Sequence, residues 1–98
     1  MVQSKNGNAI RLTDERWSHI TEEHSELAGF RSKVLDTVEN PDRILLGNEG
    51  ELLAVKEIEN GKLLVVVFRE FDHDGFIITA FATRRRATLD RRTQVWPQ

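Results

Sequence analysis

Within WSHITEEHSEL, residues 17 to 27, two of the chain's three histidines, His19 and His24, lie five positions apart among carboxylates and apolar residues. An imidazole titrates near neutral pH and is also a common metal ligand, so the pair suggests either proton transfer or a metal site. A metal needs ligands that converge. On a helix of ~3.6 residues per turn, two side chains five apart differ by roughly 140° around the axis. HITEEH also lacks the four-residue spacing of HExxH. The chain has no cysteine to complete a site with thiolates, and neither a metal nor another cofactor is expected. His24 falls on the apolar stripe formed with Trp17, Ile20 and Leu27. That position suits a core histidine satisfied by hydrogen bonds, and equally one held at a helix–sheet boundary where it titrates. His19 falls on the acidic side, beside Glu22 and Glu23.

The cations form a second constellation. Arg84, Arg85, Arg86, Arg91 and Arg92 crowd the C-terminus with only Asp90 among them, a local charge suited to an anion such as phosphate. Arg69 follows the apolar run LLVVVF, and a guanidinium there keeps its charge at ordinary pH and matches phosphate in two-pronged fashion. Thr79 and Thr83 precede the arginine run and offer hydroxyls. His73 stands between two aspartates and reads as turn chemistry. No glycine-rich phosphate loop, nucleophile elbow or dinucleotide fingerprint is present.

The elements that must position these groups follow from periodicity. Residues 1–8 read as a flexible lead-in, and AIRL at 9–12 as a short edge strand. Thr13 is suited to cap a helix whose first turn holds Asp14 and Glu15, with Gly29 ending it. A second helix carries Phe30, Val34, Leu35 and Val38 on one face and closes at Asn40-Pro41. From Arg43 the pattern changes to short runs rich in β-branched residues, at 44–46, 52–58, 63–68 and 76–82, separated by turn residues.

Asn60-Gly61 suits a type I′ hairpin. That turn pairs Ile58 with Leu63, Lys56 with Val65 and Leu52 with Arg69, which places Lys56 and Arg69 on one open sheet face. Leu53, Val55, Leu64, Val66 and Phe68 then form the opposite, helix-covered face. A three-residue loop His73-Asp74-Gly75, with Gly75 left-handed, sets Thr79 opposite Arg69 and Thr83 opposite Val65. A two- or four-residue loop reverses that parity. Residues 87–98 form a basic tail.

Ninety-eight residues allow one core and not two, so residues 9–86 read as a single α+β domain. A hydrophobic fraction of 39%, with 31% charged residues and a formal charge of −2, fits a soluble globular chain. No apolar run reaches the ~18 residues of a membrane span, and the polar start has no signal-peptide pattern. The expected compartment is cytoplasmic.

RLTDERWSHITEEHSEL, VENPDRILLG, LLVVVFRE and DGFIITAFATRRR, in that order, resemble the phage-type branch of the barnase–EndoU–colicin–RelE (BECR) nuclease superfamily, over roughly residues 10 to 86. The resemblance implies a RelE-like fold: a strand, two helices, then an antiparallel meander of about four strands and a basic tail. It also implies metal-independent RNA cleavage, by attack of a 2′-hydroxyl on the adjacent phosphorus to leave a 2′,3′-cyclic phosphate. His19 and His24 fall on the family's helical histidine motif, Arg69 on its strand-borne basic position, and Thr79 and Thr83 on its final-strand polar positions. Arg84 and Arg85 would extend the phosphate contacts; Lys56 on the open sheet face and Arg86 in the basic run are the further nucleic-acid-binding candidates. Ser25 stands where similar proteins often have proline, which changes the expected helix end. RNA is the implied partner, with an antitoxin-like protein over the Arg69 face if the enzyme is toxin-like. An exposed sheet edge leaves a homodimer open. The alternative is a non-catalytic RNA- or protein-binding module on the same fold.

Overall fold

The computed structural model describes residues 1–98. In chain order the elements are β1 (Val2–Gln3), β2 (Ala9–Arg11), α1 (Asp14–Glu23), a 3₁₀ turn (Ser25–Leu27), α2 (Arg31–Glu39), β3 (Arg43–Leu46), β4 (Leu52–Glu59), β5 (Lys62–Glu70), β6 (Asp74–Thr83), α3 (Arg86–Asp90) and β7 (Gln94–Trp96). They form an α+β architecture on one seven-stranded sheet, ordered β1-β2-β6-β5-β4-β3-β7. All neighbours are antiparallel except β2 and β6, which run parallel.

Local chemistry sets the helices. Thr13 caps α1, its Oγ1 accepting from the Arg16 N–H at 3.1 Å, with Asp14 and Glu15 in the first turn. Arg31 at the start of α2 ties the two helices together, meeting Asp14 at 2.7 Å and donating to the Leu12 carbonyl at 3.0 Å. α2 stops at Asn40, the residue before Pro41. The central strand β5 is apolar on both faces. Leu64, Val66 and Phe68 face the helices with Ala54, Ile77 and Ala80, while Leu63 and Val65 face the other way with Leu53 and Val55. Leu89 of α3 and Leu45 close that second cluster.

Two inserted residues decide which side chains share a face. Between β4 and β5, Ile58 is an extra residue: Glu59 pairs with Lys62, but Glu57 pairs with Leu63, Lys56 with Leu64 and Leu52 with Phe68. Every positive-φ residue in the chain is glycine, and Gly61 (φ +78°) is the only one in this turn, so the turn is not type I′. The bulge reverses the expected parity. Lys56 therefore lies on the helix side and Arg69 on the other, and Leu53 and Val55 leave the helix-facing layer.

The β5–β6 turn also differs from expectation. Residues 71–74 connect the Glu70–Gly75 pair, Phe71 N–H donates to the Asp74 carbonyl at 2.6 Å, and Gly75 is not left-handed. This loop places Phe76 opposite Arg69. The extra residue Ile78 then shifts the register again, so that Thr79 faces Val67 and Thr83 faces Leu63. The second shift returns both threonines to the Arg69 face, though not to the partners expected for them. Gly75 is needed for close approach rather than for φ: a Cβ there would overlap the Arg69 carbonyl oxygen.

The chain ends are parts of the sheet. β1 pairs with β2 and β7 with β3, so the segments expected to be a flexible lead-in and a tail both contribute strands. The Glu70 carboxylate holds the first of these, accepting from Ser4 Oγ at 2.8 Å, Asn6 Nδ2 at 2.9 Å and Asn8 Nδ2.

Glu70→Ala removes the common acceptor of three donors and is expected to cost about 1–3 kcal/mol. Its signature is faster amide exchange in residues 2–9, with β4 and β5 protected as before. Gly75→Ala is expected to destabilise by about 1–3 kcal/mol, because the obstacle is backbone and cannot rotate away. Thermal unfolding of the two variants measures both costs.

Candidate active site

His24 terminates α1. Its N–H donates to the Ile20 carbonyl at 2.8 Å, its backbone leaves helical geometry (φ −130°, ψ 71°), and the 3₁₀ turn starts at Ser25. This break takes His24 off the buried stripe that a continuous helix would make: its side chain is 33% exposed, against 1% for Ile20 and 0% for Leu27. The ring centroid lies 6.2 Å from that of Phe81 on β6. Nδ1 is 3.7 Å from a Glu26 carboxylate oxygen, beyond hydrogen-bond distance.

Phe81 is the wall between this histidine and a cleft of about 170 Å³. The cleft lies between the sheet and α3 and is lined by Phe81, Thr83, Arg85, Thr88, Arg92 and the Leu53–Leu89 floor. Two guanidiniums, two hydroxyls and no carboxylate line it. Thr83 Oγ1 accepts from the Arg85 N–H at 3.1 Å, which fixes the chain where β6 turns into α3. Arg92 is held by the Leu46 carbonyl at 3.3 Å and the Asn48 side chain at 3.0 Å. Arg85 is exposed, and no carboxylate lies within ion-pair distance of it. A guanidinium with unspent donors beside hydroxyls and an aromatic ring can receive a phosphate.

The other candidates lie at varying removes. Arg69 and Thr79 share the cleft's sheet face, nearer the β5–β6 turn. The Arg69 guanidinium leans across the sheet and donates from both terminal nitrogens to the Glu49 carbonyl, each at 3.2 Å. Lys56 is on the opposite face, 3.0 Å from Asp36 and from the Asn40 carbonyl. Arg84 reaches the Asn60 carbonyl at 3.1 Å and Glu59 at 3.9 Å, and Arg86 approaches Glu57 at 3.7 Å. His19 is exposed on α1, away from the cleft lining. No three His, Asp or Glu side chains converge as metal ligands would.

Phe81, Thr88 and Arg92 were not among the residues expected at a site. Arg92 belonged to the noticed cluster, but Phe81 looked like strand filling and Thr88 lay in an element too short for a periodic signal. A larger cavity, of about 590 Å³, lies beside Trp96, Ile44 and Leu52 at the far side of the sheet, with Lys5 5.1 Å above the indole ring. No histidine or acidic side chain lines it.

Two carboxylates sit below their ordinary range. The Asn40 side-chain hydrogen bond lowers Asp36 most, followed by the bond from Lys56. Backbone N–H groups of Glu49 and of Glu51 itself lower Glu51, with Arg69 and Arg92 adding attraction. A depressed folded-state pKa contributes stability above the unfolded carboxylate value, and that stability is lost as pH falls through the folded value. Asp36 is half exposed, so the gain is small. Asn40→Ala is expected to move the Asp36 titration upward by more than Lys56→Met does, as followed by carboxyl-carbon NMR against pH.

No curated protein and no solved structure matches the chain. Residues 1–96 match the family described as phage-Barnase-EndoU-ColicinE5/D-RelE like nuclease2. That match spans nearly the whole chain, both sheet edges included, and the chain therefore belongs to this nuclease-like family of the barnase–EndoU–colicin–RelE superfamily.

Proposed function

We propose that the protein cleaves RNA by metal-independent transesterification in the cleft between β6 and α3. The carrying observation is His24, at the end of α1, against the Phe81 wall of a carboxylate-free cleft that holds Arg85, Arg92, Thr83 and Thr88. Family membership supports the nuclease class.

The chemistry suits that set. The 2′-oxygen bonds to phosphorus, the phosphorus–O5′ bond breaks, the 2′-proton leaves to a base and the 5′-oxygen gains a proton. His24 lies outside the cleft lining, beyond the Phe81 ring, and carries one of these protons where the RNA strand passes the edge of that ring, while water carries the other. Arg85 and Arg92 offset the charge that builds on the phosphate oxygens, the task usually worth most in such reactions. Thr83 orients the phosphate. Arg69 and Thr79 extend the same face toward the β5–β6 turn. His19 is exposed on α1 and outside the cleft lining, and carries no proton in this scheme.

A second reading, a module that holds RNA without cutting it, is favoured by one observation: His24 does not line the cleft, and the Phe81 ring stands between it and the guanidiniums.

End-labelled RNA incubated with the protein in chelator separates the readings. Cleavage should leave a 2′,3′-cyclic phosphate, and His24→Ala should slow it by about 10²–10⁴-fold, while His19→Ala stays within a few-fold of wild type. Cleavage by His24→Ala at the wild-type rate removes the assignment. Binding with no cleavage by the wild type selects the second reading.

A further inference from the structure

A second cavity lies along β6 from the first. It encloses about 200 Å³ and is lined by Arg11, Thr13, Arg16, Phe76 and Ile77. We propose that Arg11, Arg16 and Phe76 form a distal nucleotide subsite that takes an unpaired nucleotide of the same RNA strand, its base on Phe76 and its phosphate on the two guanidiniums. The proposal rests on RNA being the ligand of the cleft.

Three observations carry it. The first is charge. No carboxylate lines the cavity, and none lies within ion-pair distance of Arg16. Arg11 has only Asp74, at 3.4 Å with both side chains about half exposed, an attachment that water and salt weaken readily. Thr13 accepts the Arg16 N–H, so the segment bearing that cation is fixed by the helix cap.

The second is the aromatic surface. Phe76 is half-buried, and its ring centroid is 5.9 Å from that of Phe71, with the planes tilted by 35°. Phe71 is 53% exposed. Two open aromatic rings beside cations are what a single-stranded nucleic acid uses, one ring face for a base and a guanidinium for the phosphate. A paired base presents no free face, so the occupant is unpaired.

The third is alignment. β2 pairs with β6 only as far as Arg11 and Phe76, so from Ile77 onward this edge of β6 has no strand neighbour. α1 runs beside it instead, with Arg16 at the Phe76 end and His24 at the Phe81 end. Eight helical residues span about 12 Å, and Phe76 to Phe81, with one bulged residue, spans about 13 Å of strand. The two cavities therefore stand at the ends of one track along β6, the first bounded by α3 and the second by the start of α1, with Phe76 and Phe81 on the same face of the strand, a length that a few nucleotides cover.

The test uses an octameric 2′-O-methyl oligoribonucleotide, which has no free 2′-hydroxyl and cannot be cut by transesterification. Its affinity is read by fluorescence anisotropy at fixed low salt for the wild type, Arg11→Ala, Arg16→Ala and Phe76→Leu, each variant checked for an unchanged unfolding temperature. Phe76→Leu preserves charge and apolar bulk while removing the stacking face. Each variant should bind about five- to tenfold more weakly, the lower part of the range for losing a stacked base. With a cleavable octamer the loss should appear in KM while kcat holds.

Wild-type affinity in both Arg16→Ala and Phe76→Leu overturns the subsite, as does failure of the wild type to bind the octamer. Weakened binding in a protein that does not cut leaves the subsite standing and removes the cleavage reading. Normal cleavage with unweakened binding removes the subsite alone.

Discussion

Side chains on a strand alternate between faces, so one inserted residue exchanges everything that follows from one face to the other. Ile58 and Ile78 are two such insertions, one on each strand flanking β5. Because β5 is apolar on both sides, it accepts either assignment without exposing a hydrophobic row, and the bulges alone decide which polar groups accompany it. Ile58 sends Lys56 under the helices to Asp36. Ile78 returns Thr79, Phe81 and Thr83 to the face that carries Arg69 and receives α3. The cleft exists where it does because of the second insertion.

Charge is rationed in a comparable way. Of the arginines crowded near the C-terminus, Arg84 and Arg86 turn toward the β4–β5 hairpin and its glutamates, and Arg92 is anchored to the β3–β4 turn. Arg85 alone both lines the cleft and keeps its donors unengaged. The run Arg84–Arg86 thus divides into two supports and one free cation, because successive residues around the β6–α3 corner point in different directions. The same division separates Arg31, committed to Asp14, from Arg16 on the neighbouring helix.

Much of the local structure was legible in the residues. The Thr13 cap, both helices, the Asn40-Pro41 stop and the four long strands follow from capping chemistry, periodicity and β-branched composition, which act over a few residues. The pairing register was not legible. Asn60-Gly61 is compatible with a type I′ turn, but a turn shifted by one residue keeps Leu53 and Val55 buried under α3 instead of under the helices. The short chain hides that option, because the five residues of α3 give no periodic signal. Likewise β1 and β7 are two and three residues long, and only their partners make them strands.

By itself the sequence determined the kinds of chemistry available, histidine, guanidinium and hydroxyl without thiol, and the helices and strands that carry them, since composition and local periodicity are properties of neighbouring residues. Tertiary structure decided which of those groups meet. Strand register, the break at His24 and the docking of α3 are settled by contacts between residues far apart in the chain, and their energies depend on both partners at once. His24 beside Phe81, with Arg85 beyond that ring, belongs to the second category.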